Sequence, residues 1–322
     1  MTSPAPTAMQ GSNAKPSAAP RNSPRVLIVG LPRLAKMQSD ALEAYGVRST
    51  YINRAFLPRA LFGDIVYQVG GPVVSKRFFA TCRMLGLPLV KHWVGYDVLE
   101  ASHREDVRRR NREQNITHWT VAPWLAEELA SFGIRADVVP LSTIVPSPGL
   151  VLPSAPLTVL AYLPEHKFNF YGGMLVLSLA RRFPGVRFLV LRCSGQGIEA
   201  PPNVQFLGFR DDMEAVYARS HVLLRMADHD GLSHMVLEAL NYGRYAIWNR
   251  PFAGALAARS EDNAAALLAH FDAQLTGGRL VPNDGGRAYV AAHYARDFVA
   301  GQIKSGLQAA LARAKRRNAD AR

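Results

Sequence analysis

Short apolar, β-branched runs recur along this chain, and nearly every one is followed by a stretch of helical spacing. In the first half the runs fall at 26–30, 48–52, 64–69, 88–94, 116–121 and 136–139. Helical patterns occupy 34–45, the segment ending at Leu85 with Ser75 placed to cap it, 102–113 and 123–131. Residues 141–156 then carry four prolines and little periodicity, as a linker would. The alternation restarts with strands at 158–162, 186–191, 204–207, 221–226 and 245–248, and helices at 171–182, 212–220 and from 234 to Gly243. Three further helical stretches follow, at 261–275, 286–294 and 297–315. Strands that alternate with helices demand a crossover between each pair, which makes parallel sheets covered by helices on both faces. Two such sheets, divided by the linker, place ligands where the C-terminal ends of their strands face each other.

The division is therefore a tail at 1–24, a first domain at 25–150, a second at 151–285 and C-terminal helices at 286–322. The tail is rich in Ser, Ala and Pro, lacks acidic residues and has no apolar core of a secretory signal; it reads as disordered. No apolar run approaches the ~20 residues of a membrane-spanning helix. Two cysteines, Cys82 and Cys193, give neither a disulfide framework nor metal-ligand spacing, so a reducing cytoplasm is the expected compartment. The formal net charge of +13 favours anionic partners: nucleic acid, an anionic lipid surface or a phosphorylated substrate. No nucleic-acid motif is present, which disfavours the first.

The chemistry concentrates at 227–248, ADHDGLSHMVLEALNYGRYAIW. Two carboxylates, Asp230 and Glu238, bracket a glycine-bearing loop and the start of a helix between two strands. A helix N-terminus behind a parallel strand offers backbone N–H groups and the positive dipole end to a phosphate, and carboxylates accept from sugar hydroxyls. This combination points to a nucleotide-sugar site. The first strand instead ends in Gly30-Leu-Pro-Arg33, which is not a dinucleotide fingerprint, and no P-loop or HExxH sequence occurs.

An acidic residue, seven intervening residues, then Glu-Ala, a glycine and an apolar strand is a pattern that resembles the nucleotide-sugar motif of GT-B glycosyltransferases, family 4 in particular. Here Asp230, Glu238-Ala239, Gly243 and the strand after it carry the likeness. The upstream segment 203–209, a short acidic helix with Met213 and Tyr217, and the strand at 221–226 follow in the same order. The likeness spans 158–248; the first half is similar mainly in pattern. It implies an α/β GT-B fold, two Rossmann-like parallel-sheet domains facing a cleft, the first for the acceptor and the second for the nucleotide sugar, with a helical C-terminal tail whose last helix crosses back to the first domain. It further implies that Glu238 binds the ribose, that Asp230 contacts the donor sugar, and that the Gly231, Leu232 and Ser233 amides meet sugar or diphosphate. Asp stands where the family more usually has Glu, which shortens the reach by one carbon–carbon bond. The family's loop after the first strand of this domain carries an Arg and a Lys for the diphosphate; here His166 and Lys167 are the loop's candidates, with Lys167 the principal one. A segment similar to H-W-x-G-x-D, His92 to Asp97, makes His92 and Asp97 candidates for an acceptor-side or catalytic role; a core histidine and a helix-capping aspartate are the alternative readings.

The activity so implied is transfer of a sugar from a nucleoside-diphosphate sugar, used as co-substrate with no metal or other cofactor, to a hydroxyl of a glycan, a lipid-linked or a small-molecule acceptor. Retention is expected, with inversion open if Asp97 or His92 acts as a base. A GT-B-like binding protein without transferase activity and a sugar-nucleotide epimerase are the rival readings. Arg108, Arg109, Arg110 and Arg112 on one charged helix are candidates for contact with the inner face of a membrane, with a solvated helix face as the alternative; Lys315, Arg316 and Arg317 form a second basic group in the tail.

Overall fold

The computed structural model describes residues 23–52, 59, 61–71, 76–112 and 116–320. The expected tail, apart from its last two residues, and the Ser75 cap lie outside them. The first domain runs β1 (Arg25–Gly30), α1 (Pro32–Ala44), β2 (Arg48–Tyr51), β3 (Ile65–Val69), α2 (Lys76–Met84), β4 (Leu89–Trp93), α3 (Tyr96–His103), α4 (Glu105–Asn111), β5 (Ile116–Thr120), α5 (Pro123–Ser131) and β6 (Asp137–Val138). The second runs β7 (Thr158–Tyr162), a 3-10 turn (Glu165–Lys167), α6 (Gly173–Arg182), β8 (Arg187–Leu191), β9 (Val204–Gly208), α7 (Met213–Ala218), β10 (Val222–Arg225), α8 (His234–Asn241), β11 (Tyr245–Trp248), β12 (Leu256–Ala257) and α9 (Glu261–Thr276). Two helices close the chain, α10 (Asp284–His293) and α11 (Arg296–Asp320).

Both sheets have six parallel strands, ordered β2-β1-β3-β4-β5-β6 and β12-β11-β10-β7-β8-β9. Helices cover both faces, so central strands such as β3 and β4 are buried along their whole length, which is why they read as continuous runs. The direction of strand addition reverses between β1 and β3 in one sheet and between β7 and β10 in the other. At such a switch point the flanking loops part and leave a crevice. The residues that end β7 and β10, Tyr162 and Arg225, therefore mark where the second domain can hold a ligand.

Two segments differ from the sequence reading in ways that matter for the site. The charged helix expected at 102–113 is two helices, α3 and α4, because the backbone of Arg104 is extended (φ −133°, ψ 99°). The strip β12, where Leu256 and Ala257 pair with β11, has no periodicity in the sequence to reveal it. At its far end α11 lays Val299, Ile303, Leu307 and Ala310, one helical face, into the first-domain core beside Val26, Ala35, Leu42 and Trp119. Gly306 permits this: a Cβ there would stand 2.5 Å from the Trp119 ring. Among the described residues no helix is long and apolar enough to cross a membrane.

Candidate functional site

Arg225 closes β10 and turns its guanidinium onto Asp230, five residues on. Nε donates to Oδ2 at 2.7 Å and Nη2 to Oδ1 at 2.9 Å, a fork-to-fork pair in which both groups are almost fully buried. The Tyr171 and Tyr162 rings flank the guanidinium at 4.5 and 5.7 Å. Burial alone would push Arg225 down, but the adjoining Asp230 carboxylate outweighs it and holds the group above its usual value. The loop between them is pinned on both sides: the Asp228 amide donates to Phe170 O at 2.9 Å and the Asn249 amide side chain to Ala227 O at 2.7 Å. Gly172 (φ 83°) lets the neighbouring loop pass closely, since a Cβ there would lie 2.7 Å from Met226 O.

Beyond Asp230 the chain passes Gly231, half-buried Leu232 and buried Ser233 into α8. Ser233 occupies the N-cap position without a side-chain capping bond. Glu238 sits one turn further in. Its Oε2 accepts from the Tyr217 hydroxyl at 2.9 Å and its Oε1 pairs with His234 Nδ1 at 3.0 Å. Burial, reinforced by Glu238, raises the Tyr217 phenol well above its ordinary value, so it stays a donor to the carboxylate. Gly243 (φ 73°) then turns the chain from α8 into β11. One loop and one helix thus bring together Asp230, Gly231, Leu232, Ser233 and Glu238, as a strand–helix–strand unit requires.

His166 is exposed in the 3-10 turn after β7, while Lys167 is half-buried. The Lys167 ammonium lies 3.9 Å above the ring of Tyr96, a first-domain residue, and 5.5 Å from the Phe170 ring. Just after β8, Arg192 adopts a left-handed backbone (φ 66°) and lies 4.9 Å from the exposed Phe209 ring.

The first domain meets the site at the end of β4. A Cβ on Gly231 would stand 2.0 Å from Val94 O, and one on Gly95 would stand 2.9 Å from the Gly231 amide nitrogen. Two glycines are what allow the two domains to touch backbone to backbone. The same face is tied by Trp124 Nε1, which donates to Asp230 O at 2.8 Å, and by His229 Nε2 with Glu128 Oε2 at 2.9 Å.

His92 and Asp97 are both built into the support of this contact. His92 is fully buried; Nε2–H donates to Val139 O at 2.8 Å, which leaves Nδ1 to accept from the Tyr67 hydroxyl at 2.7 Å. Burial pushes it down to about 4, and neither nitrogen is left for a substrate proton. Asp97 is buried too. Its Oδ1 accepts from the amides of Val94, Gly95 and Val98, and its Oδ2 from Lys91 Nζ at 2.9 Å. It shapes the Val94–Gly95 turn at the start of α3. These are the contacts that a core histidine and an aspartate at a helix start make. The basic cluster also changes character: Arg108 pairs with Glu105, Arg110 with Asp106 and Arg112 with Glu105, so it is not a bare cationic patch.

The site residue missed in the sequence is Arg225. It lies inside an apolar run, and a charge there signals an ion pair only if a carboxylate can be named for it. Asp230 stands five residues downstream in a loop, but loop geometry is not legible from spacing.

No protein-family model matches the chain, and no curated protein matches it significantly in sequence. Solved structures do match in fold. The Anabaena protein HepE, solved in complex with UDP-glucose, superposes with a TM-score of 0.64 at 12% identity, over 89% of this chain and 100% of that one. Sucrose-phosphate synthase from Thermosynechococcus elongatus gives 0.69 at 12% identity, over 89% and 100%. A glycosyltransferase from Rickettsia africae gives 0.66 at 9% identity, over 90% and 99%. The architecture is the GT-B fold: two Rossmann-like parallel-sheet domains facing one another, with a helical C-terminal end.

Proposed function

We propose that this protein is a glycosyltransferase that moves a sugar from a nucleoside-diphosphate sugar to a hydroxyl of its acceptor. The observation that carries the reading is the loop–helix unit at the β7/β10 switch point, where Asp230 and Glu238 are each held by dedicated partners and Asp230 also meets Trp124 of the first domain. A carboxylate that serves only as a solvated helix charge has no need of a buried tyrosine and a histidine to fix it.

In this reading Glu238, oriented by Tyr217 and His234, accepts from the ribose hydroxyls. Asp230, clamped by Arg225, accepts from hydroxyls of the donor sugar with the lone pairs the guanidinium does not use. The 231–233 amides and the N-terminal end of α8 face the diphosphate, where charge grows as the glycosidic bond breaks. Arg225 and Lys167 are the neighbouring cations. Lys167 must leave the Tyr96 ring to reach a phosphate oxygen, so donor binding and the contact between domains are linked. With His92 and Asp97 both committed to the fold, the departing diphosphate oxygen is the base that takes the acceptor proton while the acceptor oxygen bonds to the anomeric carbon from the same face. That course retains the anomeric configuration. The complex of HepE with UDP-glucose supports trying uridine donors first.

The test is a thermal-shift screen against uridine and guanosine diphosphate sugars. A donor present at about 100 times its Kd stabilises the fold by about 2.7 kcal/mol. Glu238→Ala is expected to abolish the shift. If no donor stabilises the wild-type protein and none is slowly hydrolysed, the transferase reading fails.

A further inference from the structure

A cavity of about 260 Å³ lies between the domains where the linker leaves the first of them. Pro123 starts α5 and sets Trp124 and Glu127, three residues apart, on one helical face; both line the cavity. Phe252 from the loop after β11, Tyr289 of α10 and Tyr294 just beyond it supply three more rings, and half-buried Leu232 of the loop before α8 completes the wall. The rings are held in place. Trp248 meets Trp124 edge-on at 5.3 Å and Phe252 at 5.7 Å, and Phe252 in turn lies 5.6 Å from Tyr289 and 5.3 Å from Tyr294. The Trp124 indole is fixed again by its bond to Asp230 O. Glu127 is the one charged residue in this lining. Among the described residues its carboxylate has no hydrogen-bond or ion-pair partner, whereas Glu128 beside it is taken up by His229. In a chain of net charge +13, a concave surface whose only charge is a free carboxylate is an exception.

We propose that this cavity is a ligand site of its own, set behind the loop that carries Asp230, and that it takes a small organic ammonium ion of the choline type. Aromatic rings attract such cations through their quadrupoles, and preformed rings lose little freedom when the cation arrives. Glu127 supplies the counter-charge that rings lack. Other occupants fit less of what is there. A phosphate or sugar phosphate needs cationic donors and would meet a carboxylate instead. A bare metal ion needs several oxygen ligands, and the lining offers one carboxylate group. An uncharged hydrocarbon suits the rings but gains nothing from Glu127. The space is also below the roughly 300–1,000 Å³ of clefts for drug-sized ligands, which suits a compact ion.

Choline and tetramethylammonium are the probes, titrated by calorimetry and saturation-transfer NMR at fixed ionic strength. The control is the neutral isostere of choline in which carbon replaces the nitrogen. Both cations are expected to bind, and the neutral isostere at least about tenfold more weakly than choline. Glu127→Gln, at an exposed position that leaves the fold intact, weakens choline binding by about three- to tenfold. Tyr289→Leu weakens it by about tenfold, while Tyr289→Phe keeps the ring and stays within about twofold of wild type. Thermal midpoints check that each variant is folded. Absence of binding by both cations, equal affinity for the neutral isostere, or choline affinity unchanged in both Glu127→Gln and Tyr289→Leu would each overturn the proposal. These titrations need neither donor nor turnover, so their outcome is separate from that of the nucleotide-sugar thermal shift.

Discussion

Removing Asp230 leaves a guanidinium with no counter-ion in a place that water barely reaches. Arg225 is 7% exposed and Asp230 9%, and two charge-assisted bonds of 2.7 and 2.9 Å join them. Loss of one partner from such a buried pair costs about 3–5 kcal/mol, because the survivor keeps its desolvation penalty without the compensating attraction. Against a typical total of roughly 5–15 kcal/mol this is about a fifth or more of the stability. Replacing both partners with apolar residues of matching size removes the penalty as well, and such swaps are often neutral or better. Asp230→Ala and Arg225→Met are therefore each expected to lower the urea midpoint of the second domain by an amount equivalent to about 3–5 kcal/mol. The double variant Arg225→Met/Asp230→Leu should return to within about 1–2 kcal/mol of wild type, a coupling characteristic of groups that act as one unit. Donor-induced stabilisation should be absent in Asp230→Ala and in the double variant alike. Stability would then recover while binding does not, which separates the scaffold role of the pair from its role toward the ligand. A double variant no more stable than either single one, or an Asp230→Ala protein as stable as wild type, would refute the argument.

Three further outcomes follow from the same geometry. Gly231→Ala places a Cβ at 2.0 Å from Val94 O, so the domains must part by more than 1 Å at the site to restore an ordinary contact. A displacement of that size costs on the order of 100-fold in turnover, while unfolding in urea changes little; an unchanged kcat would remove domain contact from the mechanism. His92 and His118 are both held neutral, each pushed down by burial from 6.5 to about 4. The unfolded chain binds more protons than the folded one between those values, so stability is full above about pH 6.5 and falls as pH drops toward 4, by up to about 3 kcal/mol for each histidine. Urea midpoints that stay flat from pH 7 to 4.5 would show that these rings are not buried neutral. Tyr217→Phe removes one of the bonds that orient Glu238 and should weaken donor binding by roughly three- to tenfold, measured by titration calorimetry, without the full loss expected of Glu238→Ala.

How far the sequence reaches is clearest at 222–248. Its strand, loop, helix and glycine stop follow from local rules, so the positions of Asp230 and Glu238 in a strand–helix–strand unit are legible from residue spacing alone. Their partners are not. Tyr217 lies 21 residues from Glu238 and reaches it only because α7 and α8 pack on the same face of the sheet. His92 is equally open in the sequence between core and catalysis, since what decides it is Tyr67 on the neighbouring strand and Val139 beyond β6. Lys167 is recognisable as a loop cation, but its engagement with Tyr96 depends on how the domains meet, which no periodicity encodes. The general pattern is physical. Local spacing determines elements and faces, whereas the state of a polar side chain depends on what a distant segment brings to it.

The packing of α11 gives the chain a temporal asymmetry. The first domain's sheet is complete by residue 138, yet one wall of its core is supplied by Val299, Ile303, Leu307 and Ala310. Each of those larger side chains is worth about 1.5–3 kcal/mol when buried. During synthesis from the N-terminus, the surface around Val26, Ala35, Leu42 and Trp119 stays wet while the whole second domain is made. The half of the protein that is born first is thus finished last, and any pause or cleavage within the final helix leaves it with an open seam that chaperones and proteases can find.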